Sequence, residues 1–213
     1  MGKRTSYFDA SASTPRNRHE RFYLPDGNVI FQAEGTLFKV HRYFFLQGSK
    51  VFEDMFSLPS PPGEDYEGGS DDQPIYLEGT TSLDLARFLT VFYPRTVCKP
   101  DLETTGEWAS VLALAVKWQF EDVQALAVAR LSADAPLVDQ ILLARAHRLP
   151  EWLYDAHVRI CSRYEPLSLD EGRRLGVDET VVISDVRQYN IRCNRGNVDH
   201  DKLRAALRLL QQG

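Results

Sequence analysis

A chain of 213 residues with 43% hydrophobic residues, 26% charged residues and a formal net charge of −5 has an ordinary globular composition. It is long enough for one sizeable core plus an extension, too short for a large multidomain enzyme, and too acidic for a dedicated nucleic-acid binder, which needs a basic face against phosphates. Cys98, Cys161 and Cys193 are odd in number and far apart, so neither a disulfide framework nor a zinc cage is indicated, and no apolar run has the length of a bilayer span.

Residues 1–21 lack periodicity and carry a slight positive excess from Lys3, Arg4, Arg16 and Arg18, so they read as a disordered tail. Met1-Gly2 followed by Ser6 fits the bare myristoylation pattern, but Lys3 and Arg4 stand where smaller residues suit it better, and a plain tail is the preferred reading. A short apolar entry, Phe22 to Leu24, leads into the turn chemistry of Pro25-Asp26-Gly27. Val29, Phe31 and Ala33 then alternate with Ile30, Gln32 and Glu34, and a Glu34-Gly35-Thr36 turn precedes Leu37, Phe38 and Val40, which predicts a hairpin. Phe44, Phe45, Val51, Phe52, Met55 and Phe56 crowd together directly afterwards, interrupted by Gly48-Ser49. That spacing predicts two short buried helices, the second capped by Ser49.

The intervals carry a further signal: a glycine turn, a strand ending in His41-Arg42, then Leu46, Ser49, Phe52 and Met55-Phe56. This order resembles the BTB/POZ domain, with its hairpin, His-Arg pair and helical LxxSxxFxxMF pattern. The resemblance implies a docking fold without catalysis, and it runs on through the following elements.

Residues 58–73 hold Pro59, Pro61, Pro62, Gly63, Gly68 and Gly69 with five acids and no base, so an acidic flexible loop is expected. Ile75, Tyr76 and Leu77 read as one more short strand. Thr81 or Ser82 caps a helix with Leu85, Phe88, Leu89 and Phe92 on one stripe, terminated by Tyr93-Pro94. Thr104 and Glu107 make a capping box before an inward stripe of Trp108, Val111, Leu112, Ala115 and Trp118. Glu121-Asp122 open the next helix, with Val123, Leu126, Ala127 and Leu131 inward.

Beyond Ala133 the helical spacing continues through Leu137, Ile141 and Ala144. A helix starting at Pro150 follows, with Trp152, Leu153, Ala156 and Ile160 inward, and Ser168 with Glu171 boxes another. Val181, Val182, Val186 and Tyr189 suit a helix by spacing and a strand by β-branching, and the helical neighbours favour helix. An amphipathic helix with Leu203, Ala206, Leu207 and Leu210 closes the chain. The expected fold class is α+β: a BTB/POZ-like domain over 22–132, with a small three-stranded sheet wrapped by helices, then an all-helical extension over 133–213. The extension is similar to the BACK type found in many BTB proteins.

No phosphate-binding, dinucleotide, nucleophile-elbow or H-E-x-x-H motif is present, so no catalytic residue and no cofactor are expected. His157 and Cys161 stand at i, i+4 but make only half a metal site, so no metal is expected either. An enzyme would need a polar pocket joining His157 or His147 to carboxylates. Trp108, Trp118 and Trp152 fall on apolar stripes and read as core.

The resemblance implies dimerisation and an adapter or scaffold role through protein partners, with a cullin-type ubiquitin ligase as one candidate and a transcriptional co-regulator scaffold as the alternative. It implies no small-molecule substrate and an intracellular, cytoplasmic or nuclear site of action. In the dimeric transcription-factor branch an Asp and the Arg of the His-Arg pair line a charged pocket; here Asn28 takes the acidic position and Arg42 keeps the basic one. Tyr93-Pro94-Arg95 replaces a Tyr-Thr-Gly turn near the face that cullins use. Candidate interaction residues are therefore Asn28, Arg42, Leu85, Phe92, Tyr93 and Trp108, with the helices from Ser82 to Tyr93 and from Trp108 to Phe120 as contact surfaces.

Overall fold

The computed structural model describes residues 17–58, 67–96, 101–193 and 198–210. The chain divides into two compact units, one of Met1–Leu102 with Lys117–Glu121 and one of Glu103–Val116 with Asp122–Gly213.

In the first unit Asn17–Tyr23 forms a strand (β1) where the sequence suggests a tail to residue 21; residues 1–16 lie outside the described ones. Only Phe22 of β1 is buried, so no alternation announces it. Pairing makes it a strand: the hairpin Val29–Ala33 (β2) and Thr36–Val40 (β3) is antiparallel, and β1 lies parallel along the other side of β3. With Ile75–Tyr76 (β4) parallel to β2, the sheet order is β1-β3-β2-β4, four strands where three are expected. The register opposes Phe31 to Phe38 and Val29 to Val40, all buried. Glu34 takes φ 52°, which a two-residue hairpin turn requires. Its carboxylate accepts from the backbone N–H and the hydroxyl of Ser82, at 3.1 and 3.0 Å.

Residues 67–73 of the acidic segment carry hydrogen bonds to the sheet. Residues 59–66 lie outside the described ones, but Gly68 accepts from the Ile30 N–H at 2.8 Å and donates to Gln73 O at 2.6 Å. Gly68 has φ 87°, and a Cβ there would stand 2.9 Å from Ile75 Cδ1. Asp71 accepts from Arg18 at 2.7 Å and from the Tyr23 hydroxyl at 2.5 Å, so it joins this segment to β1.

Arg42–Gly48 (α1) and Lys50–Ser57 (α2) are separated by Ser49, whose hydroxyl accepts from Phe52 N at 3.2 Å and donates to Trp118 O at 2.5 Å. Ser82–Leu89 (α3) is capped by Thr81 and ends before the expected stop at Tyr93-Pro94, with Thr90 turning its hydroxyl back to Arg87 O. Phe31, Phe45, Phe52, Phe88, Trp118 and Phe120 meet in a mainly tilted and edge-on cluster with centroids 4.7 to 6.1 Å apart. Gly48 is demanded by that cluster, since a Cβ would fall 2.6 Å from the Phe120 ring.

The second unit is helical: Thr105–Lys117 (α4), Glu121–Asp134 (α5), Leu137–Ala146 (α6), Pro150–Ser162 (α7), Leu169–Leu175 (α8), Val177–Cys193 (α9) and His200–Leu210 (α10), with Lys117 and Glu121 grouped in the first unit. The Thr104–Glu107 capping box forms, with Glu107 N donating to Thr104 Oγ1 at 3.2 Å and Thr104 N to Glu107 Oε2 at 2.9 Å. On α5, Val123, Ala127 and Leu131 are buried but Leu126 is exposed, contrary to expectation. At about 100° per residue it lies about 100° round the helix from the centre of that stripe. Val138, Ile141, Ala156, Ile160, Leu175, Ile183, Val186 and Leu203 build one aliphatic core across α6 to α10. The Val181–Tyr189 segment is helix, with Val186 inside and Val181 outside. Among the described residues no helix is long and apolar enough to cross a membrane.

Candidate interaction surface

The strand-to-helix junction brings several expected site residues together. The Arg42 backbone N–H donates to Asn28 Oδ1 at 2.8 Å, so Asn28 serves the start of α1. The Arg42 guanidinium lies 4.2 Å over the Phe56 ring and donates to Phe56 O at 2.9 Å, while its buried Nε has no partner. Arg42 is thus turned onto the end of α2. Asn28 is neutral, and no charged pocket is formed by this pair.

His41 holds the same junction. Its backbone N–H donates to the Tyr93 hydroxyl at 2.9 Å, and its Nδ1 lies 3.0 Å from that hydroxyl. With the hydroxyl donating to Nδ1, Nε2 carries the hydrogen that faces Asp26 Oδ2 at 3.3 Å. Burial pushes the Tyr93 phenol above its ordinary value. Arg21 closes the corner, donating to Tyr93 O and to Asp101 Oδ2, each at 2.5 Å. Burial alone would raise the Asp101 carboxyl, but the hydrogen bonds from Arg21 and Arg95 outweigh it and hold the group below its usual range.

The remaining expected residues fall mainly inside. Leu85 and Trp108 are buried, and Phe92 is half-buried against Phe44, Phe88 and Phe120, so these three belong to packing and offer little surface. Several large apolar side chains are left outside. Tyr43 on α1 is 63% exposed and Leu58 after α2 is 73% exposed, with Val51 exposed between them in sequence. Leu83 on α3 and Tyr76 on β4 are also exposed. Val51, expected among the buried residues of the two short helices, is instead exposed, and Tyr43 is the apolar residue of α1 that the inward crowd leaves out.

The model of the BTB/POZ domain matches residues 25–134, just over half of the chain. The chain belongs to the BTB/POZ family. No curated protein matches it. BTB/POZ domains are protein–protein interaction modules, and here the match ends with α5, so α6 to α10 form the helical extension that follows the domain.

Within that extension His157 is buried and does meet a carboxylate: Nε2 lies 2.9 Å from Glu179 Oε1, and Nδ1 lies 2.7 Å from Leu153 O. A carbonyl only accepts, so Nδ1 carries a hydrogen, and Nε2 faces Glu179. Arg145 donates to the other Glu179 oxygen at 2.9 Å. Both ring nitrogens are engaged, and the group ties α6, α7 and α9 together. Burial lowers His147 and raises the Cys161 thiol to about 11, which makes that thiol inert at neutral pH. Among the described residues no three His, Cys, Asp or Glu side chains form a metal-holding group.

Proposed function

We propose that this BTB/POZ protein is a non-catalytic docking module that pairs with a second copy of itself and presents the pair as an adapter, with a cullin-type ubiquitin ligase scaffold as candidate recruit. The observation that carries the pairing is the α1–α2 corner, where Tyr43, Val51 and Leu58 are exposed while Phe45 and Phe52 of the same two helices are buried. Large apolar side chains held on a rigid base are what an interface centre uses, and Tyr supplies area at little entropic cost. Lys50, paired with Glu53 and Asp54 at 3.0 Å, supplies the polar rim.

Mass-resolved chromatography of the full chain at micromolar concentration tests the pairing: a dimer is expected, and a strict monomer removes it. For the recruit, the corner held by Arg21, Tyr93 and Asp101 and the outward Leu83 are the candidate contacts. A pull-down with a cullin N-terminal region is expected to retain the protein, and an empty pull-down removes the ligase assignment. The co-regulator alternative has less support, because Asn28 and Arg42 are engaged locally. The adapter role would place the protein in the cytoplasm or nucleus, where proximity labelling of the intact chain would name its neighbours.

A further inference from the structure

The second unit contains an open cavity of about 690 Å³ between α6, α7, the α8–α9 junction and α10. That volume suits a small organic ligand. Leu153, Leu175 and Leu207 give it an apolar wall, and Arg145, Arg148, Arg204 and Arg208 all line it.

Two acids, Asp178 and Glu179, stand against these four cations. Glu179 is fully engaged, one oxygen with Arg145 and the other with His157. Arg148 and Arg208 have no ion pair among the described residues. Arg204 has one, at 4.0 Å to a fully exposed Asp201, which is too long and too wet to hold it. Arg204 and Arg208 are one turn apart on α10 and share a face, and Arg204 also lies 5.4 Å over the Tyr154 ring. Three arginines therefore converge on an apolar cavity with one uncommitted acid, Asp178, among them. Guanidinium groups match carboxylate and phosphate oxygens in bidentate geometry, and an apolar wall beside them selects a ligand with an apolar body.

We propose that this cavity binds a small amphipathic anion, with its carboxylate or phosphate head on Arg148, Arg204 and Arg208 and its apolar chain along Leu153, Leu175 and Leu207. The site is independent of the α1–α2 corner and does not require that the chain pairs.

Calorimetric titration of the full chain tests it, with decanoate and decyl phosphate below their micelle concentrations, decyl maltoside as the neutral counterpart and an acidic dodecapeptide as competitor. Saturable one-to-one binding of at least one anion is expected, and the stronger of the two identifies the head group. The R204A/R208A double variant, altered at exposed positions, is expected to keep its helical circular dichroism and to bind at least tenfold more weakly. Equal binding of decyl maltoside, unchanged binding by the double variant, or the absence of saturable anion binding would overturn the proposal. Binding of the acidic peptide alone would also overturn it, in favour of a protein ligand.

Discussion

The two units solve the same problem with different materials. The first packs Phe31, Phe45, Phe52, Phe88, Trp118 and Phe120 into one cluster under a four-stranded sheet, so its geometry depends on ring shape and close backbone approach at Gly48. The second packs mainly aliphatic side chains across α6 to α10, with Trp108 and Trp152 also buried in that unit, and polar links join its helices: Arg145 and His157 to Glu179, Arg163 to Glu171, Arg174 to Asp139, Lys202 to Asp185. An apolar core whose side chains are exchanged loses uniqueness before it loses stability. Directional bonds fix the register there, whereas interlocked rings fix it in the first unit.

The largest expected effect follows from that contrast. Phe52→Ala should destabilise the first unit by about 3–5 kcal/mol, because the neighbouring rings cannot collapse into the space left. Urea unfolding followed through Trp118 measures it, and a loss below about 1 kcal/mol would show that the cluster is not what holds the unit.

In the second unit Glu179→Leu should cost about 2–3 kcal/mol by leaving His157 Nε2 and Arg145 without their partner, while adding His157→Leu should recover part of that loss. A double-mutant cycle on circular dichroism melts decides between them. Additive costs would mean that the polar link is not a unit.

Acid provides a smaller test. The hydrogen bond from Arg163, aided by the Ser168 backbone, lowers Glu171 to about 2. Its contribution is complete above the ordinary value of 4.5 and disappears as pH falls towards 2, for a loss of about 1–2 kcal/mol in this partly exposed pair. Glu171→Gln should flatten that part of the stability profile. In the first unit burial lowers His19, whose Nδ1 accepts from the backbone N–H of Arg21 and of Phe22 at 3.1 Å. That contribution is present above 6.5 and lost as pH falls through the lowered value, so the Arg21 and Phe22 amides should lose exchange protection there.

The smallest effect on stability belongs to the surface. Tyr43→Lys should change the unfolding free energy of the monomer by no more than about 0.5 kcal/mol while shifting the mass of the full chain from dimer to monomer. A dimer that survives this change moves the pairing away from α1.

What could be read beforehand was local. The β2–β3 hairpin, the Ser49 cap, both capping boxes and the inward stripe of α4 depend on residues a few positions apart, and each is present. The family followed from those intervals. Missed features depend on distant partners: β1 on β3, Asp71 on Arg18 and Tyr23, and Glu179 on Arg145 and His157. Leu85 and Trp108 are buried, which their stripes alone do not settle, because a stripe indicates which residues share a face, while burial depends on what covers that face.

The amino-acid order by itself determined the turns, the caps, the helix periods and hence the family, because those are set by short-range sterics and hydrogen bonding along the backbone. Only the tertiary structure decided that Arg42 faces Phe56, that half of an acidic stretch is anchored to a strand, and that three arginines share one cavity. Those placements depend on which distant surfaces exclude water together, and no interval along the chain records that.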